Sequence, residues 1–179
     1  MDNMDKLGLN FGLVIAYMIP GFSATYALAS HVGTIDALLG GPGRVPSTAS
    51  VVPLLLIAVA IGIVINAISW VVIRPVIHRC GVREESGLVN KKLSNEDRLR
   101  YDQIVEATFR YHQFYSNMLV AVVLLGPMWL LSPRQSIILR IASFLLTVMV
   151  LFLAARNALQ QFYTGLSKLC DEGPPVQSS

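Results

Sequence analysis

Hydrophobic and polar residues alternate along this chain on the scale of whole helices. Four blocks contain almost only apolar residues: 7–30, 51–73, 114–131 and 137–155. An α-helix rises about 1.5 Å per residue, so about 20 residues cross a hydrocarbon layer about 30 Å thick. The first two blocks carry no charged side chain. The pattern predicts an all-α protein that is embedded in a lipid bilayer through four transmembrane helices, arranged as two helical hairpins.

Transmembrane β-strands explain the pattern less well. A membrane barrel needs segments of about 10 residues in which apolar and polar side chains alternate. The stretch LLLIAVAIGIVI at 54–65 is instead apolar on every face. Hydrophobic residues make up 54% of the chain, charged residues make up 14%, and the mean hydropathy is +0.57. This composition lies outside the range of soluble globular proteins.

The distribution of Lys and Arg predicts the orientation of the chain. The segment 74–110 carries eight of the 14 cations. Lys6, Arg156 and Lys168 lie on the same predicted side, and Arg44, Arg134 and Arg140 lie on the other. Cytoplasmic loops are enriched in Lys and Arg, so both termini and the segment 74–110 are expected in the cytoplasm of a prokaryotic inner membrane.

The first apolar block also has some features of a signal peptide. Its end, with Ala27 and Ala29 flanking a leucine, is similar to a signal-peptidase site. The block is long for a signal peptide, however, and its leader carries Asp2 and Asp5 against a single Lys6. We therefore expect it to be retained as a helix.

Five parts follow from this topology. They are a cytoplasmic tail at 1–6, a first hairpin at 7–79 with an irregular outer loop at 31–50, a cytoplasmic link at 80–112, a second hairpin at 113–158, and a cytoplasmic C-terminal segment at 159–179. The second hairpin is expected to turn at 132–136.

The link is predicted to contain an amphipathic helix at 94–112. Ser94 and Asp97 form a capping-box-like start. An apolar stripe with three- and four-residue steps follows, comprising Tyr101, Ile104, Val105, Thr108, Phe109 and His112. Glu106 and Arg110 have the spacing of a helical ion pair. No Pro or Gly interrupts 94–125, so the third helix is expected to extend from the cytoplasm into the membrane without a break. The fourth is expected to emerge in the same way through 156–169.

Two motifs that share Gln-Phe-Tyr, YHQFYSN at 111–117 and LQQFYTG at 159–165, lie at the predicted cytoplasmic boundary. Six nearby aromatic residues are candidates for an interfacial belt: Phe109, Tyr111, Phe114, Tyr115, Phe162 and Tyr163. Arg110 and Arg156 are at the same level and can extend to lipid headgroups. The alternative is that these aromatic residues and cations line a site for a planar or phosphorylated ligand.

Polar residues inside the second block point to a helix interface or a pore. Asn66 follows Ala58 and Gly62 at four-residue spacing, and Ser69 comes next. Small residues allow close approach of helices, and an amide can hydrogen-bond across the contact. The alternative is a ring of Asn66 side chains that lines a pore in an oligomer.

Pro20 and Gly21 interrupt the first block near its middle. A proline there leaves a backbone carbonyl without its helical donor, and neighbouring helices must supply another one. The result is either a static kink or a hinge. Arg140, one turn into the fourth block, is expected to extend outwards to the headgroups.

An enzyme is disfavoured. No acidic residue lies inside a predicted span, and no catalytic or phosphate-loop motif is present. The histidines His31, His78 and His112 are scattered, and Cys80 and Cys170 lack His neighbours in register. The sequence therefore predicts no catalytic residue, no metal site, no cofactor and, in the reducing cytoplasm, no disulfide.

The cytoplasmic link is the predicted surface for a ligand or partner protein. Its candidate residues are Lys91, Lys92, Arg98, Arg100, Arg110, Tyr111 and His112. In a symmetric oligomer these cations converge, and cations beside aromatic rings suit a nucleotide or oligonucleotide. The segment 74–110 also holds six acidic residues, so a solvated helix face is an alternative.

Four stretches carry a family resemblance: YMIPGF at 17–22, Asn66, YHQFYSN at 111–117 and ARNALQQFY at 155–163. Together they resemble the small four-span prokaryotic membrane proteins of antiviral-defence operons, first the channel effectors of the Hailong system and second the membrane subunits of the Kiwa system. The resemblance implies a homo-oligomeric, tetrameric ion channel that a short oligonucleotide opens. Asn66 would then lie on the pore side, and the basic link on the ligand side.

These inferences favour a pore-forming or membrane-perturbing effector of antiviral defence. The alternative is a membrane sensor or scaffold that does not conduct and recruits a cytoplasmic partner protein through the helix 94–112.

Overall fold

The computed structural model describes residues 14–29, 31–40, 47–82, 95–130 and 136–171. These ranges contain helices and turns and no strand, so the all-α prediction is confirmed for them. The helices are α1 (Val14–Ala29), α2 (Gly33–Leu38), α3 (Thr48–Arg79), α4 (95–130) and α5 (Ile137–Asp171).

Two helices are long and apolar enough to cross a membrane. They are Thr48–Arg79 and Ile137–Leu169, with hydropathies of 2.8 and 2.6. Most of their apolar surface faces outwards; Val71 and Ile138, for example, are each 75% exposed. Exposure of such a large apolar surface to water is unfavourable, so the surface indicates a lipid environment. The described part of α1 is apolar but shorter, and the second half of α4, Arg110–Leu130, begins with polar residues.

Helix α4 is the central helix of the fold, because it contacts α1, α3 and α5. One small core joins α1, α3 and α4 through Ala24, Ile65, Val120 and Ala121. A second core joins the C-terminal end of α3, the first half of α4 and the second half of α5. Its buried members are Ile77, Val82, Ala155, Leu159, Phe162, Tyr163 and Leu166.

Helices α4 and α5 both continue across the predicted cytoplasmic boundary. Residues 95–130 are helical throughout, and α5 extends to Asp171, as the sequence predicted. The apolar stripe of the link packs on α5, because Tyr101, Ile104 and Phe109 cover the second core. The half of the protein that holds the second core is thus a three-helix extension of the same helices that form the apolar half.

Within the described ranges, three segments of the helices are π-helical turns. They are Val14–Met18, Ser69–Ile73 and Val105–Phe109. The first two end two residues before Pro20 and Pro75. Proline lacks the N–H that would continue the regular bonding, and a π turn is one way for the helix to adjust. Helix α1 therefore continues past Pro20 with altered bonding and no break.

Three sequence-based expectations were wrong in the described residues. The outer loop 31–50 was predicted to be irregular, but it contains the helix α2. Arg140 does not extend outwards; it is buried, and its Nη1 donates to the carbonyl of Leu130 at 2.6 Å. A cation suits the free carbonyls at the end of α4. Phe162 and Tyr163 are buried in the second core and do not form a lipid-facing belt.

The predicted cap at Ser94, most of the turn at 132–136 and the two terminal tails lie outside the described residues.

Candidate functional site

The first element of the candidate site is the backbone carbonyl of Ala16 in α1. In a regular helix this carbonyl would accept a bond from the N–H of residue 20, but residue 20 is proline. In the structure, Nδ2 of Asn117 on α4 donates to it at 2.8 Å. Ala16 and Asn117 are fully buried. An amide from a neighbouring helix thus supplies the donor that proline removes.

Asn117 also connects α3 to this contact. Its Nδ2 lies 3.4 Å from Oδ1 of Asn66, a long hydrogen bond. The Oδ1 of Asn117 is buried and has no hydrogen-bond partner among the described residues. We call the three groups, Ala16 carbonyl, Asn66 and Asn117, the asparagine node. It ties three helices together at one point.

Close packing of α1 and α3 holds the node in place. A Cβ on Gly21 would overlap the carbonyl of Ala58, and a Cβ on Gly62 would overlap the carbonyl of Tyr17. Only glycine allows the two backbones to approach so closely. The structure therefore places Pro20, Gly21, Gly62 and Asn66, all predicted site residues, at one helix interface within a single chain.

A narrow cavity of ≈ 10 Å³ adjoins the node on the side of the second core. It is about large enough for one water molecule. Eight residues line it: Asn66, Ser69, Trp70, Arg74, Phe109, His112, Gln113 and Ser116.

Arg74 closes one side of this cavity. Its guanidinium lies 4.4 Å from the centre of the Trp70 ring, which is a cation–π contact. Its Nη2 is 3.5 Å from the hydroxyl of Tyr163 on α5. The cation is therefore held between α3 and α5.

His112 links α4 to α5 just before the third apolar block. Its Nδ1 is 2.9 Å from the carbonyl of Ala155, so Nδ1 carries the proton and donates. Burial lowers the pKa of His112, and the positive charge of Arg74 acts in the same direction, although the bond to Ala155 opposes both. The imidazole is thus favoured in its neutral form, as a fixed tautomer.

The predicted cytoplasmic residues do not converge in this single chain. Arg100 and Tyr111 are exposed, whereas His112 is buried. Nη2 of Arg110 is 2.9 Å from Glu106, which confirms the predicted ion pair. Lys91, Lys92 and the side chain of Arg98 lie outside what the structure describes.

Sequence reasoning did not select Asn117, Trp70, Arg74 or Ser116 as site residues. A signal for Asn117 existed, because a mid-helix proline requires a donor on another helix and few amides lie in the apolar blocks. The pairing of Arg74 with Trp70 had a weaker signal, their four-residue spacing on one helix. Among the described residues, no group of His, Cys, Asp and Glu is arranged to hold a metal ion.

Comparison with known proteins found no match among protein-family models, curated proteins or solved structures.

Proposed function

We propose that the chain crosses a prokaryotic inner membrane four times, with both termini in the cytoplasm. The two long apolar helices support this, and so does the excess of Lys and Arg in the segment 74–110. Helix α1 and the second half of α4 pack against the apolar part of α3. They are therefore at the same level as a helix of spanning length.

The proposed function is that of a pore-forming effector. A ligand in the cytoplasm controls whether the pore is open. The observation that carries this proposal is the continuity of α4. One helix leads from the cytoplasmic core, where Tyr101 and Phe109 pack, to Asn117 in the asparagine node. A ligand that shifts the cytoplasmic half of α4 would therefore move a buried amide that holds α1 and α3 together.

The described conformation is the closed one in this proposal. Asn66 accepts a hydrogen bond from Asn117 of its own chain. Opening separates Asn66 from Asn117, and water then solvates the two amides. The homotetrameric assembly, the oligonucleotide ligand and the setting in antiviral defence rest on the family resemblance described above.

A second candidate function is a membrane scaffold that does not conduct. The observation in its favour is an exposed patch on the cytoplasmic half of α4, where Leu99 is 62% exposed and Arg100 is exposed beside it. An apolar side chain next to a cation suits a docked partner protein.

Ion flux from liposomes that contain the purified protein tests the proposal. Flux that appears with one short oligonucleotide of a panel, and not without it, is the expected result. Asn66→Leu should change the conductance while the oligomer still assembles, and Ser143→Ala, on the exposed face of α5, is its control.

The scaffold makes the opposite prediction. If no variant and no ligand gives flux, and if Arg98→Glu with Arg100→Glu abolishes capture of a partner protein, the pore proposal is wrong. Flux in the absence of any ligand would contradict the gating mechanism alone.

A further inference from the structure

Two adjoining grooves lie along α5 at the predicted cytoplasmic boundary, one of them between α4 and α5. One has a volume of ≈ 280 Å³ and is lined by Thr108, Tyr111, Tyr115, Ala154, Asn157, Ala158 and Gln161. The other has a volume of ≈ 400 Å³ and is lined by Leu153, Ala154, Arg156, Asn157 and Gln160. They share Ala154 and Asn157 and therefore form one surface, which we call the boundary groove.

Arg156 supplies a cation to the boundary groove. Nε of Arg156 is buried and has no hydrogen-bond partner among the described residues. The guanidinium of Arg156 brings a positive charge to the groove, and an anion from outside the chain would complement that charge. No carboxylate lines either part of the groove.

The remaining polar lining suits an anion with hydroxyl or ester groups. Asn157 and Gln160 offer amide donors beside Arg156. The rings of Tyr111 and Tyr115 lie 6.5 Å apart in a stacked arrangement along the other part of the groove. A guanidinium with neighbouring amides is a common arrangement for binding phosphate.

The same face of α5 changes from apolar to polar at Leu153. Residues spaced by three and four positions share a helix face. On this face, the residues before the groove are apolar and each at least 50% exposed: Leu146, Met149, Val150 and Leu153. Arg156, Asn157 and Gln160 continue that face. The face thus presents an apolar strip about 10 Å long, at about 1.5 Å per residue, that ends at a cation.

We propose that the boundary groove binds one anionic phospholipid of the cytoplasmic leaflet, with its phosphate on Arg156 and its acyl chains along the apolar strip. This inference rests on the membrane position given under the proposed function, but not on conduction. The combination of phosphate chemistry and an apolar strip identifies a lipid and not a soluble phosphate compound. Phosphatidylglycerol fits, because its headgroup hydroxyls can reach the tyrosine side of the groove.

Native mass spectrometry of the full-length protein in detergent tests this assignment. Phosphatidylglycerol is titrated against phosphatidylcholine, and bound lipid is counted. We expect phosphatidylglycerol to bind more tightly, and Arg156→Gln to weaken it by about tenfold, the usual effect of losing a charge-assisted bond. Binding of phosphatidylcholine should not change.

The matched control is Lys168→Gln. Lys168 is an exposed cation on the same helix and lines neither part of the groove. It should bind phosphatidylglycerol like the unchanged protein. Equal losses in both variants would show a general effect of net charge and overturn the proposal.

Two further measurements complete the test. Glycerol phosphate at the same concentration should not displace the lipid; displacement would identify a soluble phosphate ligand and overturn the assignment. The thermal midpoint of each variant in phosphatidylcholine shows whether it folds. If Arg156→Gln does not fold, Asn157→Leu replaces it with an expected loss of about threefold, and an unchanged affinity overturns the proposal. Lipid binding without flux would contradict the pore and leave this inference standing.

Discussion

At the scale of single residues, the central contact joins a proline on one helix to an amide on another. Pro20 removes the N–H that would bond to the carbonyl of Ala16, and Asn117 replaces it. Moving an amide-like group from water into an apolar environment without a hydrogen bond costs roughly 2–7 kcal/mol. The proline is therefore tolerated because a residue about 100 positions away supplies the bond.

Replacement of Asn117 tests this contact. Asn117→Leu should lower the free energy of unfolding by about 1–2 kcal/mol, because the Ala16 carbonyl and Asn66 both lose a partner. The measurement is unfolding in detergent micelles by added denaturant. Thr147→Val is the control, since Thr147 is exposed and bonds only to the carbonyl of Ser143 in its own helix. We expect this control to change stability by less than about 0.5 kcal/mol.

A double-mutant cycle shows whether Pro20 is the cause. Pro20→Ala supplies a backbone N–H for the Ala16 carbonyl, so Asn117→Leu should cost about 1 kcal/mol less in that background. Costs that simply add would mean that Asn117 stabilises the protein through other contacts.

At the scale of helices, α1 and α3 pack through their backbones. Gly21 faces Ala58, and Gly62 faces Tyr17, each without room for a methyl group. Lipid provides little hydrophobic driving force between helices, so close packing and hydrogen bonds must hold them together. The asparagine node lies beside this contact because both depend on the same short distance between the helices.

Gly62→Ala should therefore destabilise the protein more than the small size of the added methyl group would suggest. The new Cβ would meet the Tyr17 carbonyl, which is backbone and cannot turn away, so α1 must shift from α3. We expect a loss of about 2–3 kcal/mol in the free energy of unfolding, the upper range for overpacking. Gly33→Ala is the matched control, because a Cβ at Gly33 would meet nothing within 4 Å. Equal stability of the two variants would show that the helices are not held at these glycines.

The sequence predicts one side of the interface between α1 and α3, but not the residues that contact it. The four-residue spacing of Ala58, Gly62 and Asn66 is local, so it indicates a close-packing face without any structure. The partners of that face, Tyr17 and Asn117, depend on how three helices meet, and spacing within one helix contains no such information. Arg140 was misjudged for the same reason, since the Leu130 carbonyl it binds belongs to another helix.

At the scale of the whole molecule, the apolar half and the half that holds the second core share their helices. The second core joins α3, α4 and α5 beyond the apolar blocks, and α4 and α5 then continue into the apolar half. Composition and periodicity predicted the continuous helices. They could not show that Phe162 and Tyr163 are buried in that core, because an aromatic residue at a boundary suits lipid and protein equally well.

Cysteine labelling tests the proposed topology. Cys80 is exposed at the end of α3, and in intact cells it should not react with a maleimide that cannot cross the membrane. It should react after the cells are lysed. In a variant with Cys80→Ser and Cys170→Ser, Ser136→Cys at the start of α5 should react in intact cells, since Ser136 is exposed and the proposed topology puts it outside the cytoplasm. Reaction of Cys80 in intact cells, or of Ser136→Cys only after lysis, would reverse the orientation.

The π turn Val105–Phe109 has a consequence for how this gene can change. The N–H of Arg110 bonds to the carbonyl of Val105, five residues back, so the turn holds one residue more than an α-helix needs. Loss of one codon between 105 and 109 would let the helix close regularly, and the residues on either side would keep their faces. Loss of one codon between Arg110 and Asn117 would instead turn everything beyond it by about 100°, the rotation per residue of an α-helix. A deletion of three nucleotides should thus be tolerated within the π turn. The same deletion between Arg110 and Asn117 should move Asn117 out of the asparagine node.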